Sequence, residues 1–383
     1  MQEFVFTNPT KLIFGRGVAN QVGRETARYG KRVLLVSGKS SAKKSGLYND
    51  VMRSLRAADV SVTEQPGVLP NPRLATCLEG IELCRENGIE VVLGIGGGSV
   101  LDSAKAIAAG ACYNGSLWDF FEKKAVIKRA LPVVTIVTMA ATGSEYNRIT
   151  VIKNEERHAK AGLWNENLFP KVSLVDPELT FSVSPLYTAY GGVDIISHVL
   201  ERYINGQPTS IVQLRFKEAL MRSVMEAVEQ AQATPMNYDA RSTLLWAGSL
   251  ACSSIFDTGL SSSDIPAHII DTEAAGFSDH AHGAGLAVIL PAVMRYYVDR
   301  FPYTTARFAT EVLGLVREEP EVDMALKGID AFRKWLRRIG CPVTMQALGI
   351  GANLFAEIAS RVDRNEEGPD REDTLAILNL YRE

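Results

Sequence analysis

The sequence has little net charge, no long apolar segment and few cysteines. Its 383 residues include 41 lysines and arginines against 44 aspartates and glutamates, a formal net charge of −3, which gives no electrostatic attraction for nucleic acid or an anionic membrane surface. No apolar run approaches the ~20 residues that cross a bilayer, and the opening segment MQEFVFTNPT lacks the basic and apolar regions of a signal peptide. We therefore expect a cytoplasmic protein with neither nucleic acid nor a membrane as partner.

The five cysteines lie scattered among apolar neighbours, without the C-x-x-C spacing of a metal or redox motif. They are Cys77, Cys84, Cys112, Cys252 and Cys341. This pattern predicts reduced thiols in the core. With 46% hydrophobic and 22% charged residues, the composition is that of a folded globular protein. A chain of this length exceeds one ordinary core, so we expect two domains.

The hydrophobic periodicity changes near residue 184. Before it, short β-rich runs alternate with helical patterns, which predicts a parallel α/β sheet. The predicted strands cover 32–37, 62–65, 90–95, 133–138, 149–153 and 172–175, and the predicted helices cover 43–58 and 73–87. From Ser184 and Pro185, a helix-start pair, the strands stop and helical patterns follow over 211–231, 239–256 and 323–339. The predicted fold class is α/β plus all-α, with an N-terminal parallel-sheet domain over 1–183, a C-terminal helical domain over 184–383, and the ligand site in the cleft between them.

One aspartate and three histidines have spacings that suit a single divalent metal. Asp194 and His198 lie four residues apart in GGVDIISHVLERYIN, where apolar residues recur at helical intervals, so both side chains share one helix face. His268 lies in a second helical pattern, and His282 precedes two glycines that let the backbone pass close to its neighbours. Carboxylate and imidazole suit Fe(2+), Zn(2+) or a related ion and leave a position for a substrate oxygen. The alternative is an ordinary helical acid and a core histidine.

A glycine-rich turn follows the short apolar run at residues 91–95. Three glycines and a serine, residues 96–99, lead into a helical pattern. The backbone N–H groups of such a turn and the helix N-terminus can bind a pyrophosphate. The turn lacks the third glycine of the G-x-G-x-x-G fingerprint, so a tight turn without a ligand is the alternative. Asp102 could cap the helix or hold a ligand hydroxyl.

Seven segments, in order along nearly the whole chain, resemble the iron-containing (group III) alcohol dehydrogenase family, in particular its butanol-dehydrogenase-like, NADPH-dependent aldehyde reductase branch. They are NPTKLIFGRG at 8–17, PNP at 70–72, GGGSVLDSAKAIA at 96–108, TMAATGSE at 138–145, LVDPELT at 174–180, GGVDIISH at 191–198 and HGAGLAVILP at 282–291. The resemblance implies a dehydroquinate-synthase-like fold with a dinucleotide-binding N-terminal domain and a metal-binding helical domain. It also implies a homodimeric enzyme that transfers hydride between NAD(P)(H) and an alcohol or aldehyde, acting mainly as an aldehyde reductase.

The same resemblance assigns the site residues. It implies that Fe(2+), or Zn(2+) or another divalent ion in its place, is bound by Asp194, His198, His268 and His282. For the coenzyme it implies Gly38, Lys39, Ser41, Asn71, Gly97, Gly98, Ser99, Asp102, Thr138, Thr142, Ser144, Lys160 and Leu179. Gly38 stands where NAD-using relatives carry an aspartate, which would hydrogen-bond the ribose 2′-hydroxyl and repel a 2′-phosphate. NADP(H) is therefore favoured over NAD(H), the alternative being a solvated lysine in an ordinary turn.

One position departs from the family. Many relatives carry a histidine four residues after the third metal ligand, often assigned to proton relay, and Thr272 stands there in this chain. Thr272, Asp271 or His280, with water, could take that part, because a relay group must lie within about 2.6–3.2 Å of its proton or one water away. The sequence leaves the choice among them open.

Two other functions stay open beside the dehydrogenase. One is a dehydroquinate-synthase-like or polyol-specific enzyme that also combines a metal with NAD. The lyase would need lysine, arginine and asparagine groups for a phosphorylated acid, whereas the segment around His268 is apolar. The other is a non-catalytic dinucleotide-binding relative, suggested by Thr272. The complete set of metal ligands argues against it.

Overall fold

The chain folds into two compact units. The computed structural model describes residues 1–205, 210–260, 266–317, 320–364 and 368–383. One unit, here the sheet unit, comprises Thr7–Val183 and Pro235–Ser253. The other, here the helical unit, comprises Met1–Phe6, Ser184–Thr234 and Ser254–Glu383.

All strands of the described residues belong to the sheet unit. They are β1 (Lys11–Phe14), β2 (Arg32–Gly38), β3 (Ser61–Val68), β4 (Val91–Gly96), β5 (Val133–Val137), β6 (Ile149–Asn154), β7 (Ala159–Trp164) and β8 (Val172–Val175). Six form a parallel sheet in the order β1-β8-β5-β4-β2-β3. The parallel sheet and the helical second half confirm the predicted fold class.

The helices of the sheet unit are α1 (Val22–Thr26), α2 (Ser41–Lys44), α3 (Leu47–Ala57), α4 (Leu74–Glu86), α5 (Gly98–Ala111), α6 (Trp118–Phe121) and α9 (Tyr238–Ala251). Those of the helical unit are α7 (Pro185–Ile204), α8 (Ile211–Ala233), α10 (Pro266–Phe277), α11 (His282–Tyr296), α12 (Pro302–Glu311), α13 (Glu321–Arg338), α14 (Phe355–Val362) and α15 (Arg371–Leu380). Within the described ranges, none of these helices is both long enough and apolar enough to cross a membrane.

The parallel sheet is buried on both faces, which explains its continuous apolar runs. Along β2, Val33 and Leu35 pack into one core cluster, while Leu34 and Val36 pack into the cluster on the opposite face. Successive strand residues point to opposite faces, so a strand covered on both sides has to be apolar throughout.

Three strands differ from the sequence prediction. The predicted strand at 149–153 was counted with the parallel series, but β6 pairs antiparallel with β7 in a separate two-stranded ribbon. The prediction also missed β7, the partner of β6. It missed β1 too, whose residues are exposed or half-buried at the edge of the sheet. A short edge strand carries little apolar signal, because one side of it does not pack into the core.

The helix α9 lies in the sheet unit, whereas the prediction divided the chain at residue 184 alone. Leu245 of this helix packs with Leu101, Val137 and Val175 of the sheet unit. The Ser249 hydroxyl donates a hydrogen bond of 2.6 Å to the buried carboxylate of Glu145. Helical periodicity indicates that a segment has an apolar face but not which core receives that face.

Helix α7 begins where the sequence predicts and packs closely on α11. Ser184 accepts a hydrogen bond from the Tyr187 N–H, and Pro185 occupies the first turn, the usual start of a helix. A Cβ atom at Gly283 of α11 would lie 2.0 Å from the backbone oxygen of Tyr190 in α7. Glycine is therefore required for these two helices to approach one another, as expected from the sequence.

We predict that Gly283→Ala destabilises the protein by roughly 1–3 kcal/mol, because the new methyl group meets backbone atoms that cannot rotate away. Gly162→Ala is the matched control, since its Cβ would lie 3.4 Å from Val151, an ordinary contact. The measurement is the free energy of unfolding in urea for both variants. Equal stability of Gly283→Ala and the unsubstituted protein would contradict the close packing of α7 on α11.

Candidate functional site

Three helices of the helical unit bring the four predicted metal ligands together. Helix α7 carries Asp194 and His198, α10 carries His268, and α11 begins at His282. One ligand atom each from Asp194, His268 and His282 lie within 4.8 Å of one another. His198 lies beside this group, with its Nδ1 3.8 Å from Oδ1 of Asp194 and its ring centroid 4.9 Å from that of His268.

The polar atoms at this site fit a metal ion. The Asp194 Oδ1 and His198 Nδ1 atoms are buried and have no hydrogen-bond partner among the residues that the structure describes. Such orphaned buried atoms are costly unless a cation or a donor satisfies them. The His282 Nε2 atom lies 3.6 Å from the same Asp194 oxygen. One carboxylate and several imidazoles form the donor set of Fe(2+) and Zn(2+).

Two buried carboxylates are hydrogen bonded to the Nδ1 atoms of two of the imidazoles, on the side of each ring opposite Nε2. Glu201, one turn beyond His198 on α7, is hydrogen bonded to Nδ1 of His268 and accepts a 2.6 Å hydrogen bond from the Ala267 N–H. Asp271 is hydrogen bonded to Nδ1 of His282. When Nδ1 donates its proton to a carboxylate, Nε2 keeps the lone pair that binds a metal. This arrangement suits both imidazoles to bind a metal ion through Nε2.

Asp271 also contacts a third histidine. Its Oδ1 lies 2.8 Å from Nε2 of His280, and the other ring nitrogen of His280 is hydrogen bonded to the Ser278 hydroxyl. Burial alone would raise the pKa of Asp271, but the charges and hydrogen bonds of His280 and His282 hold it well below its usual value. Asp271 is thus a carboxylate shared between two imidazoles.

The residues considered for proton relay have different surroundings. Thr272 lies half-buried in α10. Asp271 and His280 belong to the hydrogen-bonded chain behind His282. Sequence reasoning missed Glu201, although its position seven residues after Asp194 puts it on the same helix face. An acid at that spacing is the signal that could have identified it.

The sheet unit places the glycine-rich turn between β4 and α5. Strand order reverses between β2 and β4, because the chain proceeds from β2 to β3 on one side and from β4 to β5 on the other. Ligands of such sheets bind outside the carboxyl ends of the strands at this point. No side chain caps α5, whose N-cap is Gly97. A Cβ at Gly97 would meet only Met139, at 3.5 Å, so packing does not require glycine there.

The side chains beside this turn are largely engaged with each other. Asp102 accepts hydrogen bonds from the Ser144 hydroxyl (2.6 Å) and the Val151 N–H (3.0 Å), so it does not form the capping box considered from the sequence. Burial raises the pKa of Asp102 despite the opposing charge of Lys105. Burial also lowers the pKa of Lys105 to about 8. Its ammonium group donates to the Asn147 and Ile149 carbonyl oxygens, each at 2.9 Å.

Three buried cations lie at one end of the β6–β7 ribbon. Lys160 of β7 is directly opposite Lys153 of β6, and Arg73 forms a bridge with Lys153. Arg73 forms an ion pair with Glu155 at 3.2 Å. Like charges directly opposite each other destabilise a strand pair, so the burial of Lys153 opposite Lys160 is compatible with an anionic ligand nearby. Lys153 and Arg73 were not among the predicted site residues. Their proximity to Lys160 depends on the antiparallel ribbon, which the sequence did not reveal.

The remaining predicted coenzyme residues also lie in the sheet unit. Gly38 ends β2, Lys39 follows it in an exposed turn, and Ser41 begins α2, although its side chain is outside the described atoms. Asn71 is buried with a positive φ of 53°. The others are Gly98 and Ser99 in the first turn of α5, Thr138 after β5, Thr142 against Gly98, and Leu179 packed on the core.

Comparisons with known proteins agree in sequence and in fold. The family described as iron-containing alcohol dehydrogenase matches residues 9–177, and the C-terminal part of the Fe-containing alcohol dehydrogenase family matches residues 188–380. A probable NADH-dependent butanol dehydrogenase 2 of Bacillus subtilis is 39% identical over 99% of both chains. The NADPH-dependent aldehyde reductase YqhD of Escherichia coli is 29% identical over 95% of this chain and 94% of its own.

A solved structure extends the match to the fold. The NADH-dependent butanol dehydrogenase A of Thermotoga maritima superposes with a TM-score of 0.96 and 37% identity, covering 100% of this chain and 99% of the other. The matched region thus includes the residues of both units. The chain belongs to the iron-containing alcohol dehydrogenase family.

Proposed function

We propose that the protein is a metal-dependent oxidoreductase that transfers hydride between NAD(P)(H) and a primary alcohol or aldehyde, acting mainly as an aldehyde reductase. The observation that carries the proposal is the group formed by Asp194, His268 and His282, with an orphaned carboxylate oxygen at its centre. Relatives named as butanol dehydrogenases and as an aldehyde reductase support the substrate class.

The protein residues prepare the metal site before any substrate enters. When bound, a divalent ion supplies Lewis-acid polarisation of a substrate oxygen. Asp194 contributes negative charge, and His198, His268 and His282 contribute neutral imidazoles. Glu201 and Asp271 keep the Nδ1 protons of His268 and His282 in place. The preorganised site therefore avoids reordering its ligands during the reaction.

The coenzyme is proposed to bind at the turn after β4. The open backbone at Gly97 and the uncapped start of α5 suit a pyrophosphate. The buried amino groups of Lys153 and Lys160 suit the anionic part of a dinucleotide. Asp102 and Ser144 are hydrogen bonded to each other. We assign them two roles, which are to fix the shape of this site and to contact the coenzyme.

We predict that His198→Ala and His282→Ala each lose the bound metal and the reduction of butanal. The reason is that each substitution removes an imidazole ligand from a site with few others. His158→Ala, in an exposed turn of the sheet unit, is the control and should retain both properties. Metal content per chain and coenzyme oxidation with C2–C8 aldehydes are the measurements. Full metal content and activity in His282→Ala would show the site assignment to be wrong.

The preference for NADP(H) is supported by the turn after β2. Gly38 and Lys39 offer no carboxylate to repel a 2′-phosphate, and Lys39 is exposed and cationic. The names of the relatives point both ways, since the butanol dehydrogenases are described as NADH-dependent and the aldehyde reductase as NADPH-dependent. The chemistry of the turn supports NADP(H).

We predict that Gly38→Asp shifts coenzyme preference towards NAD(H), because the new carboxylate repels the 2′-phosphate and accepts a bond from the 2′-hydroxyl. Lys39→Gln should weaken the use of NADPH alone, and Lys44→Gln, at the far end of α2, is its control. The measurement is kcat/KM with each coenzyme. An unsubstituted enzyme that favours NADH tenfold, about 1.4 kcal/mol, would contradict the proposal.

Proton relay through Thr272 or His280 remains a prediction. A half-buried hydroxyl at Thr272 can act through water. Both ring nitrogens of His280 are hydrogen bonded, to Asp271 and Ser278, so its direct participation would require one of these bonds to break. The arrangement favours Thr272 of the two.

We propose a homodimer in the cytoplasm. All five cysteines, each within the described ranges, are outside disulfides, as suits a reducing compartment. Strand β1 has one neighbour among the described strands, β8, and Phe4 and Val5 are 52% and 95% exposed. An unpaired strand edge and exposed apolar residues are features that a second copy can cover.

Light scattering is expected to give twice the mass of one chain. Val5→Lys should shift the protein towards monomer at low concentration, because a charge would enter the proposed contact. Val316→Lys, at another exposed valine, should leave the mass unchanged. A monomeric unsubstituted protein at micromolar concentration would refute the homodimer.

A further inference from the structure

The carboxylate behind His282 is held from both sides. Asp271 has a fully buried side chain. Among the described residues, its ion-pair partners within 4.0 Å are the two imidazoles of His280 and His282. A buried carboxylate needs donors for both oxygens, because an unsatisfied one retains the cost of leaving water. His280 is therefore the group that satisfies Oδ1 while Oδ2 serves the metal ligand.

A glycine on the neighbouring helix makes room for this pair. A Cβ atom at Gly285 would lie 1.7 Å from Oδ1 of Asp271 and 2.5 Å from Nε2 of His280. Any other residue would thus displace the hydrogen bond between Asp271 and His280. The first turn of α11 presents His282 to the metal site and leaves this space for its support.

The far side of His280 is fixed as well. Its Nδ1 is hydrogen bonded to the hydroxyl of Ser278. If that hydroxyl donates its proton to Nδ1, the proton of the imidazole is on Nε2, which is the side facing Asp271. The sequence of contacts then runs from Ser278 through His280 and Asp271 to His282, with one donor for each acceptor.

We propose that His280 is a positioning residue for the metal centre, which holds Asp271 on the Nδ1 atom of His282 and so sets the direction in which His282 Nε2 points. The proposal rests on the proposed metal-dependent function. It assigns to His280 a part in metal affinity instead of proton transfer. Residues behind a metal ligand typically change metal affinity by about 10–100-fold when removed.

The test is a titration of the apoprotein with Co(2+), whose d–d absorption reports the ligand field as well as binding. His280→Leu removes the donor to Asp271 and should raise the Kd for Co(2+) by about 10–100-fold and alter the absorption. His280→Gln places an amide N–H near the position of Nε2 and should restore much of the affinity. His158→Gln is the matched control, since it changes a histidine on an exposed turn.

Two further variants separate the outcomes. If His280→Leu does not fold, Ser278→Ala keeps the imidazole and should still raise the Kd, by a smaller factor. The proposal would be overturned if a folded His280→Leu variant had the same Kd and absorption spectrum as the unsubstituted protein. If only Ser278→Ala folds, the same result for that variant would overturn it. Equal Co(2+) binding by the unsubstituted protein and His282→Ala would instead refute the metal site, and with it the proposed function.

Discussion

The burial of carboxylates beside imidazoles is the constraint on which the helical unit depends. Asp194, Glu201 and Asp271 are all nearly inaccessible to solvent. A carboxylate in such a place has to be matched by donors or by a cation. Glu201 and Asp271 are matched by histidine N–H groups, whereas the orphaned oxygen of Asp194 is the one for which we propose a metal ion. The close approach of α7, α10 and α11 makes these hydrogen bonds between helices possible.

The sheet unit also contains buried charged residues, next to its glycine-rich turn. Lys105 is fully buried, and its ammonium group is satisfied by backbone oxygens of the segment that leads into β6. Asp102 accepts hydrogen bonds from the Ser144 hydroxyl and from the N–H of Val151 in the same strand. A polar network of this kind fixes the backbone beside the turn, because each of its bonds is lost if the segment moves. These hydrogen bonds hold the turn in shape from outside it, while Gly97 itself contributes no side chain that would cover the backbone.

The sequence predicted the site better where the signal was local. The offset between Asp194 and His198 is a property of one helix, and the strands of the buried sheet reveal themselves by continuous apolar runs. His268 and His282 could be joined to the first pair through the family resemblance, since no local rule brings three helices together. Glu201 and Lys153 were not predicted as site residues, because a sequence does not distinguish a charged residue with a tertiary partner from a solvated one. The destination of α9 was hidden for the corresponding reason, as amphipathicity does not identify the partner.

The placement of α9 has a consequence for the order in which the chain is made. The chain changes from one compact unit to the other after residues 6, 183, 234 and 253. When a ribosome has released residue 183, the apolar surface formed by Leu101, Val137 and Val175 still lacks Leu245, and Glu145 lacks the hydroxyl of Ser249. The sheet unit therefore cannot complete its core during synthesis until the segment Pro235–Ser253 has followed, after α7 and α8 of the helical unit have been made.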